Sequence, residues 1–166
     1  ALVKKIKNKF ITHMPELWWG DHLDVRFHLV SELKQFKKKM ILDLGCGAGV
    51  ILSELDNSNQ KFGIDISKKA IKIAKTLNPN ADFIIGDFTK LPIKANVIDV
   101  ISAANVVPGA DFPIERKKEK QLKKQMINEV VRVLKNKGQL FLTTPNKRWF
   151  KRPTKLSQQQ LENLLQ

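Results

Sequence analysis

One stretch constrains this chain more than any other: the apolar run Met40-Ile-Leu-Asp-Leu44 opens directly into Gly45-Cys-Gly47-Ala-Gly49. A short apolar run bounded by glycines reads as a buried strand. Ala48 to Leu55 then has helical character. Three glycines at alternate positions permit backbone dihedrals closed to other residues and let a ligand approach the main chain. The N-terminus of the following helix offers free N–H groups. A strand, glycine turn and helix in this order predict an α/β unit with a ligand-binding crest.

The rest of the chain repeats the alternation. Lys61-Phe-Gly-Ile-Asp65 reads as a second strand, and Ser67 as the N-cap of a helix presenting Ala70, Ile71, Ala74 and Leu77 on one face. Asn78-Pro79-Asn80 ends that helix. Asp82 to Ile85 and Val97 to Ser102 read as strands three and four. A charged helix over 114–135 follows, with Leu122, Met126, Val130 and Leu134 recurring every fourth residue, and Asn136-Lys137-Gly138 as its stop. Gln139 to Thr144 reads as a fifth strand ended by Pro145. Ser157-Gln-Gln-Gln160 is a capping box before Leu161, Leu164 and Leu165. Alternating strands and helices imply right-handed crossovers and a doubly wound, mainly parallel sheet with helices on both faces. The length of 166 residues suits a single domain. Residues 1–38 are expected to form a helical lid, 39–146 the binding core and 147–166 a basic C-terminal segment.

In such sheets ligands bind beyond the C-terminal strand ends, where three aspartates fall. Asp43 precedes the glycines, Asp65 ends strand two, and Asp87 follows Gly86 after strand three. A dinucleotide fingerprint wants G-x-G-x-x-G/A, but its last position here is Val50. An acidic Asp43 suits a cationic ligand better than a pyrophosphate, so a nicotinamide dehydrogenase is the least favoured reading. Asp65 is placed to accept hydrogen bonds from ribose hydroxyls. Asp87 is placed to accept from an adenine amino group, and Ile66 or Phe88 to pack on the ring. Each aspartate alone would be read as a helix cap or turn. Their occurrence at consecutive strand ends beside the glycine loop argues for one site.

The stretches ILDLGCGAG (41–49), GIDIS (63–67), GDF (86–88), VIDVIS (97–102) and VVRVLKNKGQLFLTTPN (130–146) resemble the class I, Rossmann-like S-adenosylmethionine-dependent methyltransferases. The resemblance implies S-adenosyl-L-methionine as cofactor and S-adenosyl-L-homocysteine as product. It implies that Asp43 and the backbone at Gly45 and Gly47 surround the methionine part, that Asp65 holds the ribose and that Asp87 holds the adenine amine, with Cys46, Gly49, Ile66 and Phe88 also in the cofactor site. Ser102 and Ala103 would lie near the methyl group. There are two departures. The sixth and seventh strands usual in that family are expected to be shortened or missing. The frequent glutamate-histidine pair after strand four is replaced by Asn105-Val-Val-Pro108.

The acceptor side is expected from the segment before residue 23 and the loop at 103–113. Trp18 and Trp19 either shield the site from water or anchor their segment to the sheet. His13, His22 or Asp21 could serve as a general base, which is needed only if the acceptor must lose a proton, and Asn105 is a further candidate for a catalytic position. The Trp-Trp pair followed by Arg26 is similar to some glycan and lipid-precursor methyltransferases. The histidines lack the spacing of a zinc site, and no metal is expected.

A formal net charge of +14 attracts polyanions such as nucleic acid or an anionic membrane surface, or reflects solvated helix faces. Tyrosine is absent and aromatics are 7%, which supplies a base-stacking platform poorly. The leading acceptor is therefore a small molecule, glycan or lipid-linked substrate methylated on oxygen or nitrogen. RNA or protein is the second reading, and a non-catalytic S-adenosylmethionine-binding partner subunit the third. No run of about 18 apolar residues exists to span a membrane, and Cys46 is the sole cysteine. The expected location is cytoplasmic, with a peripheral membrane position as a variant of it.

Overall fold

In the computed structural model the described residues are 23–106, 115–143 and 154–163. They form α1 (Leu23–Leu33), β1 (Met40–Leu44), α2 (Val50–Ser53), β2 (Gln60–Asp65), α3 (Lys68–Leu77), β3 (Asp82–Ile85), β4 (Ile98–Ala104), α4 (Arg116–Val133), β5 (Leu134–Thr143), β6 (Thr154–Ser157) and α5 (Gln158–Asn163). The sheet order is β3-β2-β1-β4-β5-β6. All neighbours are parallel except β6, which runs antiparallel to β5. The chain reverses its direction of winding between β1 and β4, the crevice where ligands bind in sheets of this kind.

Side chains alternate between the two faces of each strand, and two apolar layers follow from that. On one face Ile41, Val100, Ala104 and Phe141 pack with Leu29, Val30 and Leu33 of α1, Ile51 and Leu52 of α2, and Ile71 and Ala74 of α3. On the other, Leu42, Leu44, Ile101, Ala103 and Leu140 pack with Met126, Val130 and Val133 of α4 and Leu161 of α5. The expected doubly wound arrangement is present.

Local signals act as their chemistry requires. Ser67 caps α3 by accepting from the Ala70 N–H at 3.2 Å. At α5 the capping box closes in both directions: Gln160 N–H donates to Ser157 Oγ, and Ser157 N–H to Gln160 Oε1.

Two expectations need correction. The helix at Ala48–Leu55 is a single turn, Val50–Ser53, because the backbone of Gly49 is left-handed (φ 74°) and delays its start. The charged helix stops at Val133 rather than at 135. Leu134, fully buried, turns to extended backbone and pairs with Ile98, and residues up to Gly138 loop out before Gln139 pairs with Val100. The stop signal is therefore the bulge itself, with Lys137 at φ 70°. The sixth strand is present and short, within what was expected: the four residues Thr154–Ser157 pair with β5 from Leu142↔Thr154 to Gln139↔Ser157.

Candidate functional site

The C-terminal ends of β1, β2 and β3 lie side by side, and they carry Asp43, Asp65 and Asp87 in that order. The glycine turn is locked to its neighbour by the backbone. Cys46 N–H donates to the Ile64 carbonyl at 3.0 Å. Asp65 then uses both carboxylate oxygens: Oδ2 accepts from Gly47 N–H at 2.9 Å and Oδ1 from Ser67 N–H at 2.8 Å. One side chain thus ties the crest of the glycine turn to the entry of α3. The Asp65 carbonyl accepts from Gly86 N–H, which joins the third strand end to the same cluster. Asp87 is exposed and accepts from Thr89 N–H at 2.8 Å, shaping the turn that carries Phe88.

Asp43 has a different environment. It is 1% exposed, lies under the crest, and accepts from Ser102 Oγ at 2.6 Å. Ala103, the next residue of β4, is fully buried on the opposite face, so its side chain packs the α4 layer. Cys46 is also buried, and burial with the nearby Asp43 and Asp65 carboxylates pushes its thiol far above the ordinary cysteine range. A thiol held protonated in this way is a packing group and not a nucleophile.

The three glycines of the turn all have positive φ, yet what lies over them differs. A methyl group at Gly45 would stand 2.0 Å from Val106 Cγ1. At Gly49 it would meet Asn78 and Phe83. At Gly47 it would meet nothing within 4 Å. The crest is therefore approachable at Gly47 alone of the three. Beside it Ile66 is 78% exposed, a large apolar side chain held in solvent at the end of β2.

Asn105, a catalytic candidate, follows β4 with φ 57° and donates its N–H to the Thr143 carbonyl at 3.0 Å. Its side-chain Oδ1 is buried without a hydrogen-bond partner among the described residues, as is the Thr143 hydroxyl at the end of β5. These neighbouring polar atoms stand at the C-terminal edge next to β1. His13, Asp21, His22, Trp18 and Trp19 lie outside the described residues, as does the basic stretch 147–153.

Gly63 and Thr143 were not among the expected site residues, and Val106 was expected only as part of the 103–113 loop on the acceptor side. Gly63 had a readable signal, since glycine inside a strand marks a close approach; a methyl group there would meet Cys46 Sγ at 2.8 Å. Val106 and Thr143 had no signal, because their roles arise from contacts between strand ends far apart in sequence. A second group missed is the clamp behind Asp87. Glu129 accepts from Leu91 N–H, while Arg132 donates to the carbonyls of Leu91 and Ile93 and to Glu129. A separate cleft of about 220 Å³ lies at the opposite edge of the sheet, lined by Phe36, Asp99, Lys135 and Gln139 among others.

Comparison with known proteins places these features in context. A family model described as a methyltransferase domain matches residues 35–166. A protein of Methanocaldococcus jannaschii, itself uncharacterized, is 30% identical over 118 residues, covering 69% of this chain and 46% of that protein. The chain thus spans about half the length of that relative. Among solved structures, a SAM-dependent methyltransferase from Methanosarcina mazei is 27% identical with a TM-score of 0.58, covering 74% of this chain and 59% of its own. A protein from Pyrococcus horikoshii has a TM-score of 0.59 at 24% identity, covering 82% and 64% respectively.

Proposed function

This chain belongs to the methyltransferase-domain family, and from that membership we propose that it transfers a methyl group from S-adenosylmethionine to an oxygen or nitrogen of an acceptor. The observation that carries the reading is the crest at Gly47. It is open above its Cα, held from below by Asp65, and flanked by the solvent-exposed Ile66. A carboxylate at a strand end, an approachable backbone and an exposed apolar side chain are what a ribose, an amino-acid tail and an adenine ring require. The residues present fit the cofactor.

In this reading Gly45 and Gly47 border the methionine part, Asp65 holds the ribose hydroxyls, and Asp87 accepts from the adenine amine between Ile66 and Phe88. Asp43 acts through Ser102 and the glycine turn, keeping negative charge beneath the crest. When bound, S-adenosylmethionine supplies a methyl carbon already activated by its sulfonium. The protein's task is then to align the acceptor with that carbon, and positioning of this kind supplies about 7–11 kcal/mol in favourable cases. Asn105 Oδ1 and Thr143 Oγ1, buried and without partners among the described residues, are the polar atoms next to the crevice that an acceptor's donor groups would satisfy.

A small molecule, glycan or lipid-linked acceptor is the first reading, because the chain lacks tyrosine and is poor in base-stacking aromatics. A specific observation favours RNA as the second: the exposed cations in the first half of α4. Calorimetry with S-adenosylmethionine, S-adenosylhomocysteine and NAD tests the cofactor. The first two should bind and NAD should not, and Asp65→Ala should weaken both by about tenfold or more, as loss of a charged hydrogen-bond acceptor does. Unchanged affinity in Asp65→Ala, or binding of NAD alone, would contradict the reading. Transfer of labelled methyl groups into fractionated cell extract then identifies the acceptor class.

A further inference from the structure

Helix α4 is divided along its length. Its buried side chains are Met126, Val130 and Val133, all in the second half. Residues 116–125 contain none, and their one apolar residue, Leu122, is only partly buried. Residues 116–124 hold six cations, Arg116, Lys117, Lys118, Lys120, Lys123 and Lys124, against one acid, Glu119. Among the described residues Lys123 alone of these six is ion-paired, to Glu119.

This is the wrong end of a helix for cations. The first turn carries the positive pole of the helix dipole, so Arg116, Lys117 and Lys118 are each disfavoured by about 0.3–1 kcal/mol. Arg116 with Lys120, and Lys120 with Lys124, add like-charge pairs four residues apart, each unfavourable by about 0.2–0.5 kcal/mol. Nothing in the core compensates, because this half of the helix does not pack there. At about 100° per residue, Arg116, Lys117, Lys120, Lys123 and Lys124 fall within an arc of about 120°, forming a stripe about 12 Å long.

The stripe also has a defined position. The C-terminal end of α4 is fixed at the lower edge of the sheet, where Val97 N–H donates to the Val133 carbonyl. A helix of 18 residues spans about 27 Å. Its charged half therefore rises toward the edge that carries Asp43, Asp65 and Asp87.

We propose that the first half of α4 is a docking surface for the phosphodiester backbone of a nucleic acid. A polyanion supplies the charge that the helix lacks, and a stripe of this length faces roughly three or four phosphates of one strand at about 3.4 Å each. A bilayer is the poorer fit, because a helix that lies in a membrane interface needs an apolar face, and residues 116–125 have none. Contact is through the backbone and independent of sequence, so the scarcity of stacking aromatics is no obstacle. The surface lies outside the cofactor crest, and its assignment does not depend on the methyl-transfer reading.

The test measures anisotropy of a labelled 20-nucleotide RNA with the full chain across a salt series. A variant with Arg116, Lys117, Lys120 and Lys124 each changed to Gln is compared with one in which Lys39, Lys72, Lys75 and Lys94 are changed to Gln, an equal loss of charge elsewhere. The α4 variant should lose affinity on the order of a hundredfold near physiological salt, and its log–log salt slope should flatten by about 3, at roughly 0.7 per lost contact on a single strand. The other variant should lose much less. The α4 variant should also melt at the same temperature or higher, because unfavourable charge has been removed. Equal losses in both variants, absence of RNA binding by the parent chain, binding to phosphatidylserine vesicles in place of RNA, or a lower melting temperature for the α4 variant would each overturn the proposal. Calorimetry with S-adenosylmethionine on the same variants reads the cofactor site separately, and its affinity should not change.

Discussion

Ser102 and Asp43 face each other across the β1–β4 pairing, and the Ser102 hydroxyl donates to Asp43 Oδ1 at 2.6 Å in a fully buried setting. These strands flank the point at which the winding of the sheet reverses. The bond therefore links the strand that launches the glycine turn to the strand that leads to Asn105.

Replacing Ser102 with alanine removes a donor from a buried carboxylate. A hydrogen bond to a charged group contributes about 1.5–3 kcal/mol, and at this chain length each kcal/mol shifts the melting temperature by about 2–4 °C. Ser102→Ala should thus melt several degrees lower. Its affinity for S-adenosylmethionine should also fall, since Asp43 supports the crest. A melting temperature unchanged from the parent would mean that the pair contributes nothing to the fold.

The three glycines of the turn separate shape from access. Gly45→Ala places a methyl group 2.0 Å from Val106 Cγ1 on left-handed backbone, so it combines a steric clash with a dihedral penalty of about 1–2 kcal/mol. Gly47→Ala carries a similar dihedral penalty with no neighbour to strike. Thermal melts should show Gly45→Ala clearly the less stable of the two. Adding Val106→Ala should recover much of the loss in Gly45→Ala and none in Gly47→Ala, a coupling that a double-mutant cycle reads directly. Calorimetry should show the opposite emphasis: Gly47→Ala keeps its fold and loses cofactor affinity.

The parallel core of the sheet was readable because apolar runs ending in Gly or Asp are distinctive: β1 and β3 have the bounds that the residues predict. The three aspartates could be grouped because each lies at or just beyond the C-terminal end of such a run. The fate of their side chains could not be read. Asp65 as a tie between Gly47 and Ser67, and Asp43 as a buried partner of Ser102, depend on distances between strands. Strand β6 escaped notice because Thr-Lys-Leu-Ser offers one apolar residue, too little for a period, and its pairing is decided by the exposed edge of β5. The early end of α4 escaped for a related reason: Leu134 continues the helical spacing perfectly but is claimed by the strand. Periodicity names a face, and tertiary packing decides which element owns it.

The Glu129–Arg132 clamp predicts how the site responds to acid. The hydrogen bond from Arg132, together with the Leu91 N–H, holds the Glu129 carboxyl below its ordinary value of 4.5. A depressed carboxyl pKa stabilises the fold fully above the unfolded value and loses that contribution as pH falls through the folded one. The window therefore opens near pH 4.5 and extends downward. Within it Glu129 takes up a proton, and its oxygens compete less well for Arg132 and for the Leu91 N–H. Arg132 also holds the carbonyls of Leu91 and Ile93, so the segment following Asp87 and Phe88 loses its attachment to α4. Glu129→Gln should melt below the parent at neutral pH, and the gap should narrow as pH drops below 4.5. Affinity for S-adenosylmethionine should show the same convergence, because the clamp supports the turn that carries Asp87 and Phe88. A gap that stays constant from pH 7 to pH 3 would place the titration elsewhere and leave Glu129 without a part in the acid response.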